Sequence, residues 1–379
     1  MARPHIRSRV LPVSEQPFIP PAKPIIDEVD IEAAVRVLRS GMVVQGPEVK
    51  AFEEEFSAVA GSEHAVAVNS GTSALQLALM ALGIGPGDEV IVPSFTFAAS
   101  GNAIKLVGAE PVFVDIDLDS FCVDPEAVRA AIGPKTAGIM PVHLYGHPAA
   151  MTTIMELAST HGLAVVEDAA QAHGAAIGGK PVGGFGSAAA FSFYPTKNMH
   201  SLEGGMVTTN DAEVARTIRL LRNQGMEQRY ANEIVGVNMR LTDVAAAIGR
   251  TQLTRLHEWT ERRRAIAARF DAEITSVVVP PVAEGARHVY HQYTVRVEND
   301  RDGFQKRLTD AGIGNAVYYP TPVHRLRPYL VDGAPDPRWD LPATEQAAAE
   351  VVSIPVHPSL SDADVDRIVA AVNEAGATA

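Results

Sequence analysis

The 379-residue chain is 46% apolar, material for a large domain and a smaller one, and its net charge of −13 disfavours nucleic acid and other phosphate backbones as partners. No apolar run reaches about 18 residues and the arginine-bearing N-terminus lacks an apolar stretch, so neither a membrane span nor a secretory leader is expected. The single cysteine, Cys122, cannot close an internal disulfide; it follows an apolar strand pattern and reads as a packing residue in a cytoplasmic protein.

Strand-like and helix-like patterns alternate from about residue 50 to about 210, the signature of a mostly parallel, doubly wound sheet. The stretch Val66 to Leu79 reads as a strand, a Gly-Thr-Ser turn and an apolar helix. The free N–H groups of such a helix start hold phosphate, and Ser70, Thr72 and Ser73 add hydroxyls. The spacing of a nucleoside-triphosphate loop is missing, and an ordinary capped helix is the alternative. Further strands are expected at Glu89–Val92, Pro111–Asp115, Ala137–Val142 and Ala164–Val166, the last continuing into a carboxylate at Asp168. Gly83–Gly87 and Gly184–Ala189 resemble glycine-rich nucleotide loops in letters, but each reads as a turn entering a strand.

From Phe191 to Gly205 an apolar lead-in delivers Lys197 into a polar turn that ends in glycines. Taken singly, Lys197 is a surface lysine and Asp168 a capping residue. Together they are the aldehyde carrier and the pyridinium partner that pyridoxal 5'-phosphate (PLP) chemistry demands. Beyond them, Asp243–Phe270 is a long helical stretch leading to a second domain. Arg262–Arg264 reads as its solvated face. Tyr290–Val297 is an alternating strand; His288 and His291 flank it without a third ligand, so no metal is expected. Arg325–Pro342, rich in Pro, Asp and Gly, reads as a mobile loop, and Asp362–Ala375 as a closing helix.

In this order the segments Val44–Glu53, Ser70–Leu75, Val92–Phe97, Glu167–His173, the Lys197 stretch, Gly236–Asp243, Tyr319–His324 and Ile354–Pro358 resemble the DegT/DnrJ/EryC1/StrS family of PLP-dependent sugar aminotransferases. The resemblance implies an α/β fold of type I. A large domain (residues 1–255) with a mostly parallel seven-stranded sheet would bind PLP, and a smaller α+β domain (residues 256–379) would follow. It implies a ping-pong transfer of an amino group from L-glutamate or L-glutamine, through an internal aldimine on Lys197 and pyridoxamine phosphate, to a keto group of a nucleotide-linked deoxysugar. Asp168 would hold the ring nitrogen, Gln171 the phenolic oxygen and Phe97 the ring face. Gly71, Thr72, Ser73 and Ser192 would hold the phosphate. Asn238 would reach the neighbouring subunit's phosphate site, making a homodimer with shared active sites. Gln45, Tyr319 and His324 would line the sugar pocket, and Arg229 or Arg240 would clamp the donor carboxylate. The ending Glu203-Gly-Gly205 is like that of 4-keto members, and Phe193-Tyr-Pro195 is like 3-keto members. A keto-cyclitol substrate, or a non-catalytic PLP-binding regulatory role, is the alternative. Lys197 itself argues against the dehydratase branch, which has histidine there.

Overall fold

A computed structural model describes residues 17–378; the arginine-bearing N-terminus lies outside them. Two helices open the described chain, α1 (Glu28–Ser40) and α2 (Pro47–Ala60). The first is started by a reciprocal cap between Asp27 and Asp30, and the second by a proline at its first position. The α/β alternation then runs β1 (His64–Val68), α3 (Gly71–Ala81), β2 (Glu89–Pro93), α4 (Ala98–Leu106), β3 (Glu110–Val114), α5 (Pro125–Ala131), β4 (Thr136–Ile139), α6 (Met151–His161) and β5 (Ala164–Asp168). It closes with β6 (Ala188–Ser192), β7 (Gly205–Thr209) and α7 (Ala212–Arg222).

The seven strands form one sheet in the order β1-β7-β6-β5-β4-β2-β3. Only β7 runs against its neighbours. Side chains alternate across a strand, and here both faces are buried. Val66, Val68, Val90, Val92, Val166 and Val207 pack on one face against α3, α4 and α7. On the other face, Ala65, Ala67, Phe191 and Met206 meet α2, while Ile91, Ile139 and Val165 meet α5 and α6. Cys122 lies in this last core, with its thiol pushed up to about 12 by burial, as a packing residue would be.

Next comes α8 (Asp243–Glu273), whose first half packs under α1 and α2. At Gly249 any Cβ would lie 2.7 Å from the Phe52 ring, so the absent side chain is what lets α2 approach. The second half of α8 supplies Ile266, Ala267 and Phe270 to a separate core. That core is completed by β8 (Tyr293–Arg296), α9 (Arg301–Asp310), β9 (Val351–Ile354) and α11 (Asp362–Gly376), with α10 (Pro342–Glu350) leading into β9. Ile19, from the start of the described chain, also joins it. No helix among the described residues is long and apolar enough to cross a membrane.

Three sequence readings need correction. Arg263 is buried rather than solvated, giving one N–H to the Tyr290 carbonyl at 3.2 Å; on a helix its neighbours Arg262 and Arg264 point elsewhere. The segment Arg325–Pro342 is pinned, since Tyr329 and Trp339 pack edge-on against Phe113 and the Tyr329 hydroxyl donates to Asn102 at 2.7 Å. The strand near Tyr290 is buried at Tyr293, Thr294 and Val295 alike, because it lies inside the second core instead of at a surface.

Phe52 is fully buried at the meeting of α2 and α8. Phe52→Ala is expected to cost about 3–5 kcal/mol in denaturant unfolding. A loss under about 1 kcal/mol would mean that the ring does not hold these helices together.

Candidate active site

Neighbouring parallel strands β5 and β6 carry their C-terminal ends to one edge of the sheet, where Asp168 lies opposite Ala190. After β6 the chain leaves the sheet. Its loop is closed by Phe193 N–H to Gly204 O at 2.9 Å and Ser201 N–H to Phe193 O at 3.0 Å, and Lys197 sits within it. Burial pulls the Lys197 amine down to about 8, against the attraction of Asp168. The same burial raises the Asp168 carboxyl. It is pulled back by the Ser100 hydroxyl at 2.8 Å, the Ala170 N–H at 3.1 Å and the charge on Lys197.

Glu167, one residue earlier, points away from the cleft. It accepts from His143 Nε2 at 3.1 Å and from the N–H groups of Gly183, Phe185 and Gly186 at 2.8–2.9 Å. Burial alone would raise its carboxyl, but these bonds hold it below the usual range. His143 Nδ1 accepts from Ala149 N–H at 2.9 Å, and its own N–H donates to the Asp168 carbonyl at 3.0 Å. The end of β5 is therefore fixed from behind. Gln171 is held too, accepting from Tyr145 N–H at 2.7 Å and donating to the Tyr319 hydroxyl at 2.9 Å. Tyr319 in turn lies 5.9 Å from the ring of Phe97, which is 58% exposed.

The first turn of α3 abuts the end of β6. Ser70 caps the helix, accepting from Ser73 N–H at 3.1 Å, while a Cβ on Gly71 would lie 2.8 Å from Ser192 Cβ. Glycine thus leaves room between a helix N-terminus and a serine hydroxyl, a cradle suited to phosphate. Amine, carboxylate, amide and cradle together fit PLP.

The remaining candidates are dispersed. Asn238 is exposed and accepts from Arg240 at 2.9 Å; its segment pairs with the end of β1, through Asn69 N–H to Met239 O at 3.1 Å, just before the cradle. Arg229 is exposed, lying over the Tyr230 ring. Gln45 precedes Gly46, which donates to Asp243 at 2.7 Å, so its turn is tied to the start of α8. His324 departs from expectation. Its ring is fully buried, with Nδ1 2.6 Å from the Ser94 hydroxyl and Nε2 3.0 Å from Glu345, so it cannot line a pocket and instead ties its turn to the end of β2.

Ser100, Thr96, His143 and Tyr145 also belong to this site; Thr96 lies in the Val92–Phe97 segment beside Phe97, while nothing in the sequence surroundings of the other three marks them. A narrow pocket behind the lysine loop is lined by Asn198, Arg263, His291 and His357. Apart from Lys197, none of the residues expected to hold the cofactor lines it. The flanking histidines His288 and His291 are both buried, although His291 Nδ1 has no partner; no group able to hold a metal occurs among the described residues.

A family model described as the DegT/DnrJ/EryC1/StrS aminotransferase family matches residues 24–373. A dTDP-3-amino-3,4,6-trideoxy-alpha-D-glucose transaminase of Streptomyces venezuelae is 47% identical over 90% of this chain and 90% of its own. The crystal structure of S. venezuelae DesV in complex with a ketimine intermediate superposes with a TM-score of 0.88, at 45% identity over 92% of this chain and 94% of that one. The PLP form of Spr1654 of Streptococcus pneumoniae, described as a putative sugar aminotransferase, superposes at 0.90, with 29% identity over 95% of this chain and 99% of that one. The cofactor is pyridoxal 5'-phosphate and the fold is type I. The chain belongs to the DegT/DnrJ/EryC1/StrS aminotransferase family.

Proposed function

We propose that this aminotransferase moves an amino group from L-glutamate or L-glutamine to a keto group of a nucleotide-linked deoxysugar, in two half-reactions that share one cleft. The observation that carries the reading is part-buried Lys197 and buried Asp168 brought together beside the α3 cradle. The 47% identity to a 3-amino sugar transaminase supports ring position 3. The two separate cores support a large cofactor-binding part through residue 255 and a smaller part from 256, with the boundary inside α8.

When bound, PLP supplies an electron sink and a carrier for the amine. Lys197 would carry its aldehyde and, once released, would be the base that moves a proton between the substrate carbon and the cofactor carbon. An amine near 8 suits both duties, since about a tenth of it is neutral at pH 7, against far less for an ordinary lysine. Asp168 accepts a charge-assisted hydrogen bond from the protonated ring nitrogen. Gln171, oriented by Tyr145 and Tyr319, donates to the phenolic oxygen, and Phe97 covers the ring face. The Gly71 and Thr72 N–H groups, which the helix cannot satisfy itself, hold the phosphate with the hydroxyls of Thr72, Ser73 and Ser192.

Gln45 and Tyr319 would contact the sugar. Of the two arginines, Arg240 is the better placed to hold the donor carboxylate, because its segment pairs beside the cradle and its bonds go to Asn238 and Asn223, not to a carboxylate. Exposed apolar side chains at Phe97, Tyr194, Leu202, Tyr230 and Val235, near the lysine loop and Asn238, support a homodimer in which Asn238 completes the partner's phosphate site.

Lys197→Ala is expected to abolish transamination of a dTDP-3-keto sugar while leaving the unfolding midpoint unchanged; an active variant would remove Lys197 from the mechanism. Turnover of a keto-cyclitol in place of the nucleotide sugar would move the substrate assignment. For the wild-type protein stripped of cofactor, PLP capture should accelerate as pH rises through about 8 and level off above it. A rise continuing toward the ordinary lysine value would contradict a depressed amine. Mixing Lys197→Ala with Asn238→Ala chains should restore part of the activity, and heterodimers that stay inactive would count against shared sites.

A further inference from the structure

The geometry points to Ser100 as a positioning residue that keeps Asp168 ionised toward the cofactor's ring nitrogen, with Thr96 acting behind it. This rests on the proposed contact between Asp168 and that nitrogen. Asp168 is only 6% exposed, and burial drives a carboxylate toward its neutral form. A neutral acid could not accept the proton-bearing ring nitrogen's charge-assisted bond. Something has to favour the anion. Of the carboxylate's two oxygens, Oδ1 takes the Ala170 N–H at 3.1 Å and Oδ2 takes the Ser100 hydroxyl at 2.8 Å.

Ser100 has one hydroxyl proton, and the carboxylate, an acceptor only, takes it. The Ser100 oxygen lies 3.0 Å from the Thr96 hydroxyl, so Thr96 must be the donor in that pair. The result is a one-way chain, Thr96 to Ser100 to Asp168, in which each bond polarises the next. Both hydroxyls are sealed from water, with Ser100 at 0% and Thr96 at 2% exposure, so solvent cannot substitute for either. The chain is also rigid. Ser100 stands in the first turn of α4, its N–H bonded to Phe97 O at 3.1 Å, and Thr96 and Phe97 form the lead-in to that helix. One turn therefore carries both the ring-face contact and the support for the ring-nitrogen contact. Lys197, His143 and Tyr319 are the other charged or titratable groups that act on Asp168 or feel its charge, and none of them donates a hydrogen bond to its carboxylate oxygens.

The test compares PLP with its carbocyclic analogue, in which the ring nitrogen is carbon, by equilibrium dialysis against each cofactor-free variant. Ser100→Ala should weaken PLP binding about tenfold or more while leaving the analogue within about twofold, since a hydrogen bond to a charged group is lost only where that charge meets the nitrogen. Thr96→Val should narrow the PLP-to-analogue ratio in the same direction by about two- to threefold. Ser100→Thr, which keeps the hydroxyl, should restore it. Equal losses for both cofactors in Ser100→Ala would make Ser100 merely structural and overturn the proposal. Should Ser100→Ala fail to fold, Ser100→Cys and Thr96→Val read the same ratio, and an unchanged ratio in both overturns it. Asp168→Asn separates the two levels. If it leaves the ratio intact, the Asp168 assignment fails; if it collapses the ratio while the Ser100 and Thr96 variants do not, only the present proposal fails.

Discussion

The site depends on placing an amine and a carboxylate in the same desolvated cleft. Burial drives both toward neutrality, but their proposed duties require opposite outcomes. Lys197 needs a usable neutral fraction, and burial provides it, bringing the amine down to about 8. Asp168 needs to stay charged, and burial works against it. The hydrogen bonds follow this asymmetry. Lys197 Nζ makes no hydrogen bond among the described residues, whereas Asp168 receives a hydroxyl and a backbone N–H. A bond to the ammonium form would have cancelled the depression that the lysine needs, so the bare amine and the well-held carboxylate are one design.

The sheet makes this pairing cheap to hold. Because β5 and β6 are parallel neighbours, their C-terminal ends meet without any long excursion, and the period of two sends adjacent carboxylates to opposite sides. Glu167 uses that alternation to anchor three backbone N–H groups of the Gly183–Gly186 turn and the His143 ring. His143 accepts a backbone N–H at Nδ1 and its Nε2 lies 3.1 Å from Glu167, so the buried carboxylate is held by the imidazole and three backbone N–H groups together. The cost of burying that charge is offset by four donors, and the strand end that presents Asp168 cannot rotate.

Much of the site was legible in the sequence because its parts are local. A strand ending in Asp168, a Ser-Gly-Thr helix start and a lysine between an apolar run and glycines are each short patterns, and the sheet brings their ends together. What stayed hidden depends on register between distant segments. Ser100 sits among alanine and glycine, and its facing of Asp168 is set by how α4 packs on the sheet. His324 reads as a polar pocket residue until Ser94, 230 positions away, takes its ring. The Arg262–Arg264 run misled for a simpler reason: successive helix positions lie about 100° apart, so three like residues cannot share one face, and the middle one is turned inward. In Arg325–Pro342 the polar composition outweighed two aromatics, although Tyr329 and Trp339 alone are enough to dock the segment on Phe113.

A chain of net charge −13 still has to receive the phosphate of its cofactor, and the local arrangement resolves the conflict without a cation in the cradle. Gly71, Thr72, Ser73 and Ser192 offer neutral donors at a helix start, whose partial positive charge falls off within one turn. A lysine or arginine there would have lowered the Lys197 amine further by repulsion and made it a weaker base. The nearby full charge, Arg240, is tied by asparagine amides at 2.9 and 3.3 Å instead of by a carboxylate. Its orientation is thus fixed while its charge stays uncompensated, the condition in which a guanidinium can meet an incoming anion without first giving up an ion pair.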